Sequence, residues 1–260
     1  MSWRGFFLLC CCGPSAVFAA EVFCYDMPGE VPVAEQVQVK GQRVDGQHTA
    51  RIAGWVLDVL PDAVFVNQPW QRCLHHARHG RVTGLLSLGW TAERGGWYSF
   101  PLRGNQPDTT MALYDVPYNI FVHRDSKVQW DGQRFAGLNY GLVTFKGYLA
   151  EQRLRELNAL TPLQTDINQA VDLVSKGRLD GYVMPPGAMD RMFRQQPGFA
   201  KLKQLDTPLF AMPLYLAFYP GYCQSKPSTC QQVWQYLAAQ KAQKAQKAQW
   251  QQQHAADTVQ

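Results

Sequence analysis

An arginine three residues beyond a helix-capping threonine carries the most legible chemistry in this sequence. In Thr91-Ala92-Glu93-Arg94 the threonine reads as an N-cap, which puts Arg94 at the third helical position. A cation there opposes the positive end of the helix dipole, so stability alone would not select it. A bound carboxylate reverses the argument, because a guanidinium fork and the free N–H groups of a first turn can hold one anion together. Three histidines offer a second chemistry. His75 and His79 stand one helical turn apart with His76 beside them, an arrangement that could ligate zinc or copper. No Asp, Glu or Cys is placed to complete such a site, and a solvated polar face accounts for all three, so no metal is expected.

Arg94 needs elements to position it. Trp70, Cys73, Leu74 and Ala77 recur at helical spacing, while Gln71, Arg72, His75, His76 and His79 fill the opposite side, so the pattern predicts one amphipathic helix stopped at Gly80. A strand is expected to follow from Val82 to about Leu88. The segment from Gly95 to Thr110 is rich in Gly, Pro, Asn and Asp and reads as a loop, and Met111 to His123 reads as extended chain. With 46% hydrophobic residues the chain can bury a sizeable core, and strands alternating with helical patterns indicate parallel α/β units. The net charge of +5 is too small and too dispersed to argue for nucleic acid.

Both ends of the chain stand apart. Residues 1–19 read as a secretory leader: Arg4, an apolar run from Phe6 to Cys12, a Gly13-Pro14 break, and Val17-Phe18-Ala19 before the mature end near Ala19/Ala20. That run is too short to span a bilayer, so an exported, periplasmic protein is expected. At the other end, three Ala-Gln-Lys units from Ala239 to Lys247 predict a low-complexity helix that packs only at its start. Its three-residue period sweeps apolar positions around the helix and forms no coiled-coil seam.

The order of motifs resembles the periplasmic solute-binding proteins that serve ABC importers of polar amino acids. Val22 to Pro28 (VFCYDMP) resembles their first strand and ligand loop, and Val64 to Arg72 (VFVNQPWQR) their second strand and helix. Then come the strand and T-x-E-R around Arg94, Phe135 to Tyr148 (FAGLNYGLVTFKGY) and Ala170 to Val183 (AVDLVSKGRLDGYV). The resemblance implies a type II two-lobed α/β fold, each lobe a mainly parallel sheet flanked by helices, joined by a two-strand hinge. It divides the chain into lobe 1, residues 20–118 and 211–260 with a helical tail from about 239, and lobe 2, residues 119–210. A monomer without cofactor is expected, with a membrane permease as partner.

The same resemblance suggests a site. Arg94 would hold the solute carboxylate with a hydroxyl from Ser87, while Tyr25 and Asp26 would offer an apolar face and a carboxylate for an ammonium. From the second lobe, the loop Thr144, Phe145, Lys146, Gly147 and Tyr148 would bring backbone N–H groups and a lysine to the other end of an anion. One departure bears on the ligand: where such proteins carry an aspartate for the α-ammonium, this chain reads Met184-Pro185-Pro186-Gly187. Either Asp26 takes that role, or the solute is another small carboxylate. Thr83, where an aspartate is usual, is expected to alter only local hydrogen bonding. Four cysteines survive removal of the leader and allow three connectivities; Cys24–Cys73 and Cys223–Cys230 are the expected pairs.

Two other outputs fit the same sequence. The closed form could signal to a membrane sensor, or the fold could host a dehydratase acting on small carboxylates, with Asp26, Glu93 and Lys146 as its candidate acids and bases. No paired acid–base arrangement, nucleophile elbow or phosphate loop supports the enzyme, so binding is the expected activity.

Overall fold

The computed structural model describes residues 20–27 and 31–255, and the segment read as a leader, residues 1–19, lies outside the described residues. The chain opens with β1 (Val22–Tyr25), a hairpin of β2 (Gln36–Val39) and β3 (Gln42–Asp45), and α1 (Gln47–Val59). Next come β4 (Val64–Asn67), α2 (Trp70–Arg78), β5 (Gly84–Gly89) and the single turn α3 (Ala92–Gly95). A small hairpin, β6 (Leu102–Arg103) and β7 (Gln106–Pro107), precedes the crossing strands β8 (Tyr114–Pro117) and β9 (Asn119–His123). The ribbon β10 (Gln129–Trp130) and β11 (Phe135–Ala136) leads to β12 (Leu142–Val143), α4 (Leu149–Glu156), α5 (Ala170–Ser175), β13 (Gly181–Met184) and α6 (Ala188–Arg194). Finally β14 (Leu202–Gln204) and β15 (Ala211–Phe218) are followed by α7 (Pro220–Ser225) and the long α8 (Pro227–Ala255).

These elements form two lobes around two sheets. The first is five-stranded, in the order β4-β1-β5-β15-β8, and the second four-stranded, in the order β12-β13-β9-β14. The sequence reading expects mainly parallel sheets, and the observed sheets are mixed. β1 runs parallel to β4 and β5, and β12 parallel to β13, but β15 is antiparallel to β5 and β8, and β9 to β13 and β14. The reason lies in the crossing: β8 carries the chain out of the first sheet and β15 carries it back, so the two must oppose. Backbone hydrogen bonds join the crossings, Tyr118 N–H donating to Phe210 O at 2.8 Å and Leu209 N–H to Tyr118 O at 2.8 Å. The Tyr118 and Phe210 rings lie 4.5 Å apart at this hinge.

Apolar runs make the central strands because each is covered on both faces. Successive residues alternate between faces. Phe23, Leu86 and Phe218 pack with α1 and the start of α8, while Cys24, Leu85 and Tyr215 pack beneath α2. The second lobe repeats the pattern, with Phe121 and Tyr182 on one side and Ile120 and Val183 on the other. Thr83 Oγ1 accepts from Val22 N–H at 3.0 Å, joining the residue before β5 to the start of β1.

Two disulfides reinforce the first lobe. Cys24–Cys73 ties β1 to α2 with Cα atoms 5.5 Å apart, and Cys223–Cys230 ties α7 to α8 at 5.7 Å. Helix α8 packs at its start, where Val233, Trp234 and Leu237 are buried and Trp234 Nε1 donates to Leu216 O at 2.8 Å. Its side chains from Ala242 to Gln246 are exposed. No helix of the described residues is long and apolar enough to cross a membrane.

Candidate functional site

A cavity of about 770 Å³ lies between the lobes, a volume that suits a small organic ligand. The first lobe lines it with Tyr25, Asp26, Ser87 and Arg94, the hinge with Tyr118, and the second lobe with Phe145, Tyr148 and Met184 to Gly187. Its walls mix aromatic and apolar side chains with acidic and basic ones, among them Glu35, His48, Arg51, Asp115 and Arg191.

Arg94 is placed by a short, over-determined turn. Thr91 Oγ1 accepts from Arg94 N–H at 3.1 Å, and Arg94 O accepts from Trp97 N–H at 3.0 Å and Tyr98 N–H at 2.9 Å. The Tyr98 hydroxyl in turn donates to Leu74 O at 2.9 Å, fixing the turn to α2. Arg94 as a whole residue is 9% exposed, and its guanidinium donates to Gly89 O at 3.0 Å through Nη1. Burial lowers its pKa from the usual arginine value, with Tyr118, Tyr98 and Glu93 opposing the shift. No carboxylate pairs with it among the described residues, and although Arg94 lines the cavity, its bond to Gly89 uses only one of its five donors.

Asp26 continues β1 into the cavity. Burial pushes its pKa up to about 6, against hydrogen bonds from Tyr148 and the Trp70 backbone that favour the charged form. The Tyr148 hydroxyl donates to Asp26 Oδ2 at 3.0 Å from the opposite lobe. Asn67 holds the loop through Met27 N–H, 2.9 Å, and Asp45 Oδ2, 3.0 Å. Tyr25 presents its ring, since its hydroxyl is occupied by Asp45, whose N–H donates to it at 2.9 Å. Ser87 Oγ accepts from the Tyr114 hydroxyl at 3.2 Å, and Ser87 lines the cavity as Arg94 does.

The second-lobe loop departs from expectation at three positions. Thr144 is buried and donates its hydroxyl to Val183 O at 2.9 Å, so it ties β12 to β13 and does not line the cavity. Lys146 is exposed and is not part of the lining. Gly147 is outside the lining too: its N–H donates to the Glu151 side chain, and at φ +79° any Cβ would meet the Gln71 side-chain amide of the first lobe. Tyr148 N–H donates to Phe145 O at 3.2 Å, so this loop offers the cavity rings rather than an anion cradle. Phe145 and Tyr148 do line it, their centroids 5.2 Å apart, and Tyr148 meets Trp70 edge-on at 6.1 Å.

Several lining residues escaped the sequence reading. Helical spacing puts Trp70 on the apolar side of α2 and the pattern puts Tyr118 in extended chain; an aromatic between two crossing strands is the signal that marks the latter. Glu35 and Arg191 carry no motif; they meet only because the lobes do. The His75 and His79 rings lie 4.2 Å apart, and His79 Nδ1 donates to His75 O at 2.8 Å. No third ligating side chain joins them among the described residues.

No family model matches the sequence, and no curated protein does either. Solved structures do. The ligand-binding core of GluR0 from Nostoc punctiforme, in complex with L-glutamate, matches with a TM-score of 0.62 at 13% identity, over 89% of this chain and 98% of that one. The amino acid ABC transporter substrate-binding protein AbpA from Streptococcus pneumoniae, bound to L-arginine, gives 0.58 at 12% identity, over 88% and 90%. The chain has the two-lobed fold of the solute-binding proteins. A histidine kinase sensor domain with similarity to periplasmic binding proteins shares it, at TM-score 0.58 and 18% identity, over 91% and 95%. Likeness at these identities carries the fold, while residue roles rest on the geometry above.

Proposed function

We propose that this is an exported solute-binding protein that holds a small zwitterionic carboxylate, an amino acid or close analogue, and delivers it to a membrane importer. The observation that carries this reading is Arg94, buried in the cavity wall without an acidic partner among the described residues. A desolvated guanidinium is costly unless an anion completes it. Asp26, whose pKa of about 6 marks a carboxylate short of cationic partners, supplies the matching place for an ammonium. It thereby takes the role that Pro185 and Pro186 cannot fill.

In this mechanism residues 20–118 and 211–260 form the lobe that captures the solute, and residues 119–210 form the lobe that closes over it, after removal of residues 1–19 during export. The carboxylate lands on Arg94 and the ammonium on Asp26. Phe145 and Tyr148 then cover both, and the differential affinity for the closed form shifts the population toward it. Binding, not turnover, is the output: of the three candidate acids and bases only Asp26 lines the cavity, since Glu93 and Lys146 are exposed and outside it.

A thermal-shift screen of amino acids and dicarboxylates, with Arg94→Ala alongside, tests the reading. Ligand at ~100 times its dissociation constant adds about 2.7 kcal/mol, a rise of roughly 5–10 °C at this length. A selective rise that disappears in the variant supports it; a rise of equal size in both sinks it. The match to a sensor domain favours a second output for the same binding step, signalling to a membrane sensor. Co-purification with a sensor rather than a permease would select it.

A further inference from the structure

Both chain neighbours of Asp26 are tied to one buried carboxylate outside the cavity lining. Asp45, the last residue of β3, is 4% exposed and is not among the lining residues. Its N–H donates to the Tyr25 hydroxyl at 2.9 Å, and its Oδ2 accepts from that hydroxyl at 3.4 Å and from Asn67 Nδ2 at 3.0 Å. Asn67, the last residue of β4, stands opposite Tyr25 in the β1–β4 register. Its side chain bridges both backbone groups of Met27, with Oδ1 accepting from Met27 N–H at 2.9 Å and Nδ2 donating to Met27 O at 3.3 Å. Tyr25 precedes Asp26 and Met27 follows it, so Asp45 reaches one side directly and the other through Asn67.

Stability alone does not explain an acid at this position. A buried carboxylate is costly unless its partners compensate it, and Asp45 pairs at 3.2 Å with Arg43, whose side chain is 57% exposed and therefore screened. Docking of the β2–β3 hairpin does not require the acid either. Gln42 already hooks that hairpin to the first sheet, its Nε2 donating to Ala63 O at 2.7 Å and its Oε1 accepting from Phe65 N–H at 3.3 Å. What Asp45 adds is a fixed backbone on either side of Asp26. A polar network fixes orientation when its members are satisfied, and Tyr25, Asp45 and Asn67 satisfy one another. Arg94 is held independently, by its own turn between Thr91 and Tyr98.

We infer that Asp45 is a positioning residue for Asp26, acting through Tyr25 and Asn67 to hold the Asp26 carboxylate in the cavity wall, where it meets the solute ammonium. The inference rests on the ammonium role proposed for Asp26, and the test separates the two. Releasing the clamp lets the loop turn Asp26 towards water while the Arg94 turn stays in place.

Carbon-13 NMR titration of the aspartate carboxyls of the mature protein, made without solute, tests this, with Asp26→Asn identifying the resonance. Its midpoint is expected at about 6, raised by burial against the bonds from Tyr148 and the Trp70 backbone. Two ways of disturbing Asp26 then have opposite signs. Tyr148→Phe removes a bond to the ionised form and leaves the loop in place, so the midpoint should rise. Asn67→Ala and Asp45→Asn release the loop to water and should lower it by about 1 pH unit or more, towards the ordinary 3.8. Asn67 is exposed, so its variant carries the test even where Asp45→Asn does not fold. A loss of thermal stability with an unchanged midpoint would make the clamp merely structural and overturn the inference. A raised midpoint in the clamp variants would also overturn it, because Asp26 would have stayed buried. The titration contains no solute, so its outcome stands whether or not Asp26 meets an ammonium, which binding to Asp26→Asn decides separately.

Discussion

The two walls of the cleft are both built where the chain leaves the end of a strand, and they carry opposite chemistry. On the first lobe, β1 runs on into half-buried Asp26 and β5 leads to buried Arg94, charges without a full counter-charge. On the second, three polar groups at the corresponding junctions bond within the lobe, Thr144 to Val183, Gly147 N–H to Glu151 and Tyr148 N–H to Phe145, and Pro185 and Pro186 follow β13. A shared position at strand ends therefore does not imply an equal share of recognition. One wall reads charge and the other supplies rings, apolar area and the cross-cleft bonds from Tyr148 and Arg191. The order of events follows, capture on the first lobe and closure by the second.

The largest effect should come from the disulfide behind the charged wall. Cys24–Cys73 closes a separation of 49 residues, and Cys223–Cys230 one of 7. Loop-closure entropy makes the first worth about 4 kcal/mol and the second about 2.5 kcal/mol. Denaturant unfolding of the two double Cys→Ala variants should show that ranking, and equal losses would contradict the entropic account. Next is Arg94→Ala, which should weaken solute binding about 100-fold, roughly 3 kcal/mol, because one partner of a desolvated charged pair is lost. Thr144→Val should change it by less than about threefold, since its hydroxyl serves the strand. Comparable losses from both would erase the asymmetry between the walls.

Acid should act through the same wall. Because the folded pKa of Asp26, about 6, lies above its ordinary 3.8, the folded state binds a proton more readily between those values. Its ionised burial therefore costs stability above pH 6, and that cost is relieved as pH falls through about 6 towards 4. Solute affinity moves the other way, since an ammonium needs the carboxylate ionised. A fall of about tenfold between pH 7.5 and pH 5, absent in Asp26→Asn, is expected in calorimetric titrations. An affinity that rises on acidification would show that the solute brings no cation to Asp26.

How far the sequence disclosed this follows from the range of each interaction. The T-x-x-R turn and the α2 periodicity are local, and the chain shows them: Thr91 caps α3, and α2 ends before Gly80, whose φ of +67° only glycine adopts readily. Strand direction was less legible, because β9 and β15 owe theirs to the path between lobes rather than to any pattern within them. The second-lobe loop misled for a related reason. Its residue types suit an anion cradle, but Glu151, four residues on, consumes the Gly147 N–H that the cradle would need. Glu35 and Arg191, separated by 156 positions, have no common motif at all. Contacts across a cleft depend on the closure geometry, which no local period encodes.

The smallest expected effect is also a test of that lesson. Lys146 carries the only positive charge in the loop Thr144 to Tyr148, and residue type alone would assign it to the solute carboxylate. The structure leaves it exposed and outside the lining, so its field reaches the cavity only through water and salt. At physiological ionic strength such a charge is screened over about 8 Å, and Lys146→Ala should change affinity by less than about twofold, with a slightly larger loss at low salt. Titrations at two salt concentrations would read both numbers. A salt-insensitive loss of about tenfold would mean that Lys146 enters the cleft when solute is bound. Charge would then be read on both walls, and Arg94→Ala should leave a residual, Lys146-dependent affinity that a one-wall site does not allow.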